Sequence, residues 1–281
     1  MDLRIGQPCF VVGEVAQAHD GSLSMAHSYI DAIASAGADA VKFQCHIASA
    51  ESHPDEPWRV EPKWMQDLSR FDYWHRMEFK PHEWAGLREH AENADLEFIV
   101  SPFSLEAVSL LMETGLDAWK VASGELTSDA LIDAIMATEL PVLVSTGMSP
   151  WSEIDKAERA LDAYPHALLQ CTSMYPTPPE RVGVEMITKF HTKYACPAGL
   201  SDHSGTIWPG LVAAAHGAEV LEVHVVMDRR INGFDSSSSI TPDELALLIK
   251  GIRFVERMDR VDKDNLGGLE RMRELFMGRT A

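Results

Sequence analysis

Eight short β-rich runs, each followed by a segment of helical periodicity, fit within about 250 residues and predict an α/β chain folded as a (β/α)8 TIM barrel. Polar side chains close every one of those runs, as they would at the mouth of such a barrel. The rival architecture, a doubly wound open sheet, usually carries a glycine-rich phosphate turn after its first strand, and no GxGxxG occurs in this sequence.

The first run is "CFVVGEV" at 9–15, followed by 22–38, where apolar residues recur three and four apart and a glycine closes the pattern. "AVKFQC" at 40–45 is the second. The stretch after it, 46–80, is too long for an ordinary loop and rich in aromatics and histidines, so it is expected over the catalytic face as a lid or substrate contact. "LEFIVSPF" (96–103) precedes a helical pattern at 104–115, "AWKVASGE" (118–125) another at 128–139, and "PVLVSTG" (141–147) another at 149–164. Ser149 reads as the N-cap of that last helix, with Pro150 next. "ALLQCTS" (167–173), "PAGLSDH" (197–203) and "VLEVHVVM" (220–227) complete the set. The barrel is expected over 1–258, with 259–281 a glycine-broken linker and one short helix.

Hydrophobic content of 46% with 24% charged residues suits a soluble chain with a large core. A net charge of −19 argues against nucleic acid and anionic membrane as partners, though a few local cations suffice to hold a small anion. Cys9, Cys45, Cys171 and Cys196 form no CxxC pair and read as reduced thiols. The start "MDLRIGQPCFVVGEV" lacks signal-peptide features, and no apolar run approaches the roughly 20 residues of a membrane span, so a cytoplasmic protein is expected.

Lys42 and Lys120 lie inside apolar runs, where an ammonium needs an anion; a carboxylate such as Glu14 or Glu125 is one candidate, a bound small molecule the other. The hydroxyls of Ser101, Ser123 and Ser145 at neighbouring strand ends favour a cage for a ligand with phosphate and carboxylate groups. His203 and His224 end adjacent strands and can converge on Mn2+, Fe2+, Co2+ or Zn2+. Glu222 and Asp235 are available as ligands or as groups orienting them.

These words, "GEVAQAHDG", "GADAVKFQ", "FIVSPFSLEAV", "WKVASGELTSDALI", "VLVSTGM", "QCTSMYPTP", "GLSDHSG" and "LEVHVVMDRRINGFDSSSS", resemble the sialic acid (N-acetylneuraminate) synthase family, including legionaminic and pseudaminic acid synthases. The resemblance runs from about residue 8 to 258 and implies a TIM barrel that condenses phosphoenolpyruvate with an open-chain sugar aldehyde, releasing phosphate. It implies that Lys42, Gln44, Ser101, Lys120, Ser123, Ser145, Ser173 and Ser201 surround phosphoenolpyruvate, and that His203 and His224 hold Mn2+, with Co2+, Fe2+, Mg2+ or Zn2+ as alternatives. Glu14, Glu125, Tyr175 and Asp235 fall where the family contacts the sugar or moves protons, Glu125 being the first candidate for proton transfer and Asp235 the second. A homodimer is implied as well. Ala18, Asp20, Ser101, Ser173 and the "GFDSSSS" loop depart from the family pattern, and the chain is expected to carry the catalytic barrel without the family's C-terminal antifreeze-like domain. A metal-dependent barrel aldolase or hydrolase, or a non-catalytic sugar-phosphate binder, are the alternative readings of the same residues.

Overall fold

The computed structural model describes residues 3–58, 66–258, 263–265 and 267–277. Its strands are β1 (Phe10–Ala16), β2 (Ala40–Cys45), β3 (Glu97–Pro102), β4 (Ala118–Val121), β5 (Val142–Ser145), β6 (His166–Cys171), β7 (Ala198–Asp202) and β8 (Val220–His224). They pair in parallel, in chain order, and β8 returns to β1 to close the barrel. Around it run α1 (Leu23–Ser35), α2 (Ala48–Glu51), α3 (Arg70–Met77), α4 (Pro81–Asn93), α5 (Leu105–Thr114), α6 (Asp129–Met136), α7 (Trp151–Leu161), α8 (Met186–Tyr194), α9 (Trp208–Ala215) and α10 (Pro242–Glu256), and a last helix, α11 (Glu270–Met277), has every residue exposed. No helix of the described residues is long and apolar enough to cross a membrane.

Both faces of each strand are buried, which is why the strands read as continuous apolar runs. Val12, Ala40, Ile99, Ala118, Leu143, Ala167, Leu169 and Val220 fill the barrel interior, small residues alternating with large. Leu, Ile and Phe side chains from the other strand faces and the helices form the outer layer of core.

The N-terminal end of the barrel is stitched by a repeated device. Asp39, Asp117 and Glu219 each sit one residue before an even-numbered strand, two residues after a glycine with positive φ (83, 86 and 79°) that ends the preceding helical turn. Each accepts a backbone N–H from the preceding strand: Val11 N to Asp39 at 2.7 Å, Phe98 N to Asp117 at 2.7 Å and Ala198 N to Glu219 at 3.0 Å. Each also meets a basic side chain, Arg253, Arg88 or His191.

The largest departures from the sequence reading are at two strand ends and one helix cap. β4 stops at Val121 and Ser123–Glu125 form a 3-10 turn; β8 stops at His224, after which Val225 makes only a bridge to Ile240. α7 starts at Trp151 with extended Pro150 (ψ 164°) in the cap position, so Ser149 does not cap it. Among its described residues the long segment after β2 is partly helical. It contains α2 and α3, the latter opened by a reciprocal Ser69–Asp72 capping box, and its residues 59–65 lie outside the described set. Arg76 bonds Asp67 within the segment and ties it to Asp20, each at 2.7 Å, while Tyr73 and Trp58 place their rings 5.4 and 6.3 Å from Phe234 in the loop after β8.

Candidate active site

Barrel register brings the buried polar residues to one level. Glu14 lies beside Lys42 on one side and His224 on the other, Ser201 beside Glu222, and Gln44 beside Ser101. Lys42 is the hub: its ammonium is 2.6 Å from Glu14 and 3.6 Å from Glu222, with all three side chains nearly inaccessible. Burial opposes its charge, but the two carboxylates outweigh that and raise its pKa. They respond in opposite senses. Burial raises the pKa of Glu14 against the pull of Lys42, whereas for Glu222 the ammonium groups of Lys120 and Lys42 overcome burial and hold the carboxyl down at about 2. Two carboxyls flanking one cation are thus driven apart in proton affinity, the arrangement from which acid and base roles are made.

Lys120 differs from Lys42. Its ammonium donates to the Val121 carbonyl at 2.9 Å and the Ser145 hydroxyl at 2.7 Å, and among the described residues no carboxylate lies within ion-pairing distance. Burial lowers its pKa, with Glu222 and not Glu125 the carboxylate that opposes this most. Glu125 stands half-buried on the turn after β4. Ser101, at the end of β3, is buried with a hydroxyl that has no hydrogen-bond partner among the described residues. A third feature is a hydroxyl-lined cradle around Gly147, whose N–H donates to Ser123 Oγ at 3.1 Å. A Cβ there would meet Ser173 Oγ at 2.6 Å and Ser123 Oγ at 2.7 Å, so only glycine lets the two hydroxyls close in on that backbone. Ser201 Oγ donates to Glu222 at 3.1 Å.

His203 and His224 converge, their ring centroids 5.1 Å apart at 74°. His203 Nδ1 donates to the Thr172 carbonyl at 3.0 Å with Cys171 Sγ 3.9 Å away; burial opposes charge on the ring, but its bonds with Cys171 and Thr172 outweigh that and raise its pKa. His224 is buried and pushed down to about 4, chiefly by burial, so it is a neutral imidazole at neutral pH; its Nδ1 has no hydrogen-bond partner among the described residues. Asp235 stands 4.0 Å from that nitrogen. Tyr175, half-exposed, stacks on His203 at 4.3 Å. A neutral His224, buried and unpartnered, facing a His203 whose ring is oriented by a backbone carbonyl, fits a divalent metal that would take the place of the His203 Nε2 proton.

The sequence reading missed the support behind Gln44. Its amide donates to Glu14 at 2.9 Å and accepts from Gln17 at 2.9 Å and from His46 at 3.1 Å. His46 is held on its other nitrogen by Glu51 at 2.8 Å and lies between the rings of Trp74 and Phe103, 3.8 and 4.2 Å away. The only sequence signal was a histidine two residues beyond Gln44, hence on the same strand face.

The sequence profile of the NeuB family matches residues 29–263. N,N'-diacetyllegionaminic acid synthase of Campylobacter jejuni is 31% identical over 88% of this chain and 76% of its own length. Human N-acetylneuraminate-9-phosphate synthase is 30% identical over 89% of this chain and 71% of its own. The crystal structure of an N-acetylneuraminic acid (sialic acid) synthetase from Leptospira borgpetersenii, solved with citrate, superimposes with a TM-score of 0.83 at 28% identity, covering 97% of this chain and 93% of that one. Fold, profile and relatives agree: the chain is a (β/α)8 enzyme and belongs to the NeuB family.

Proposed function

We propose that this enzyme joins phosphoenolpyruvate to an open-chain sugar aldehyde, giving a 2-keto-3-deoxy sugar acid and phosphate. The observation that carries the reading is Lys120: a buried ammonium bonded only to neutral oxygens, on the strand next to the one that ends in the unpartnered hydroxyl of Ser101, calls for an anionic ligand. Lys42 is already balanced by Glu14 and Glu222, so the charge that phosphoenolpyruvate supplies answers Lys120.

In this reading Lys120, Lys42, Gln44 and the serines at 101, 123, 145, 173 and 201 orient the enol phosphate. C3 of the enol bonds to the aldehyde carbon, whose oxygen takes a proton; water adds at C2, and phosphate leaves by C–O cleavage as the C2 ketone forms. Glu125, Asp235 and Glu14 handle the protons. Glu14 suits delivery, because burial favours its protonated form, and Asp235 suits the acceptor side, next to His224. His203 and His224 would hold a divalent ion, Mn2+ in the first instance; when bound it supplies Lewis-acid polarisation of a carbonyl oxygen. Tyr175 covers the histidine pair and lines the sugar side. A cytoplasmic homodimer belongs to the same proposal, and light scattering tests the dimer.

The test is a panel of N-acyl hexosamines, pentoses and their phosphates, read by phosphate release. Release that needs phosphoenolpyruvate, an aldose and a divalent metal together supports the reading. Release without any aldose, or none across the panel, refutes it.

A further inference from the structure

A second cluster of ligating side chains lies at the other end of the barrel, unused by the chemistry above. Glu158 on α7, His166 at the start of β6 and Cys196 just ahead of β7 are all buried, and one donor atom from each lies within 4.8 Å of the others. His166 Nδ1 donates to the Tyr164 carbonyl at 2.9 Å, which fixes the ring and turns Nε2 toward Glu158 Oε2, also 2.9 Å away. A backbone carbonyl on the far nitrogen is how proteins commonly orient a metal-binding imidazole.

This is also the one even-numbered strand at which the carboxylate stitch is missing. Asp39, Asp117 and Glu219 precede β2, β4 and β8, whereas Pro165 precedes β6. Nitrogen, oxygen and sulfur donors gather there instead. A histidine–glutamate ion pair would need no thiol; three donors of mixed softness suit a borderline divalent ion and serve Mg2+ or Ca2+ poorly.

We propose that Glu158, His166 and Cys196 form a zinc site that fastens α7, β6 and the start of β7, separate from His203 and His224. Without metal, a proton takes the ion's place: burial disfavours charge on His166, but hydrogen bonds with Cys196, Glu158 and the Tyr164 carbonyl outweigh it and push the ring up to about 10. Zinc replaces that Nε2 proton and the thiol proton of Cys196. Both protons pass to solvent, and water fills the fourth position.

Cobalt(II) reports on this directly, because a thiolate ligand gives a near-ultraviolet sulfur-to-metal charge-transfer band. The full chain titrated with Co2+ is expected to show one equivalent with that band, displaced by Zn2+. The band should persist in the His203→Ala/His224→Ala double variant and in Cys171→Ser, and vanish in Cys196→Ser. His166→Asn should weaken Zn2+ binding by more than about tenfold, and Zn2+ should raise the melting temperature of the His203→Ala/His224→Ala protein. Absence of a sulfur band in the unsubstituted chain, a reading that needs no variant to fold, overturns the proposal. So does a band that survives Cys196→Ser.

Discussion

The two ends of this barrel treat buried polar groups in opposite ways. At the N-terminal end Glu219 takes N–H groups from Gly6 and Ala198 and a bond from His191, so its carboxylate is fully used. At the C-terminal end Ser101 Oγ, one oxygen of Glu222 and His224 Nδ1 have no hydrogen-bond partner among the described residues, and Lys120 has no contacting carboxylate. Unsatisfied buried groups cost stability, so a fold keeps them where a ligand completes them. One end spends its polar groups on the fold; the other keeps them for the ligand proposed above.

That contrast breaks if changes at the upper end unfold the protein. Lys120→Met and His203→Ala should each lower phosphate release by about 100- to 1,000-fold with no fall in melting temperature, Lys120→Met even raising it because it removes a buried charge. At the lower end Glu219→Ala should cost about 3 kcal/mol in urea unfolding and leave kcat within about twofold when assayed below its melting transition. A matching loss of kcat would show that the two ends are coupled.

Acid sharpens the same comparison. His19, under the segment after β2 with Phe79 4.8 Å away, accepts from Gly21 N, and burial, then His46 and Arg76, push it down to about 3. The unfolded chain protonates this ring near its ordinary value of about 6.5 while the folded chain does not, so stability falls as pH falls. By pH 5 the loss is about 2 kcal/mol, and His19→Asn should flatten that part of the pH–stability curve. The smallest effect is expected at Ser101. Ser101→Ala should leave the free protein as stable or more so by up to about 1 kcal/mol, while raising KM for phosphoenolpyruvate roughly fivefold.

Much of this was readable in the sequence because parallel strands buried on both faces give unbroken apolar runs, and because Lys42, Lys120, His203 and His224 interrupt those runs conspicuously. Strand ends were less readable. "ASGE" after β4 and "VVM" after β8 keep strand-like composition while the backbone turns away, and Pro150 displaced the cap expected at Ser149 by staying extended. The support for Gln44 was out of reach, since it depends on Glu51, Trp74 and Phe103 meeting around His46. The lower stitches did leave a trace, the repeated words "GADA", "GLDA" and "GAEV" at 37–40, 115–118 and 217–220. Their meaning emerges only once each acid is seen bonded to the strand before it.

Closure of β8 onto β1 has a consequence for synthesis. Residues 10–16 leave the ribosome first and find their last partner only when 220–224 arrive, and Arg253, bonded to Asp39 and the Cys9 carbonyl, seals that seam later still. Until then a growing chain presents two raw strand edges to its neighbours on the same polysome. The seam, more than any other part of the molecule, is where chaperone dependence and inclusion-body formation should be decided.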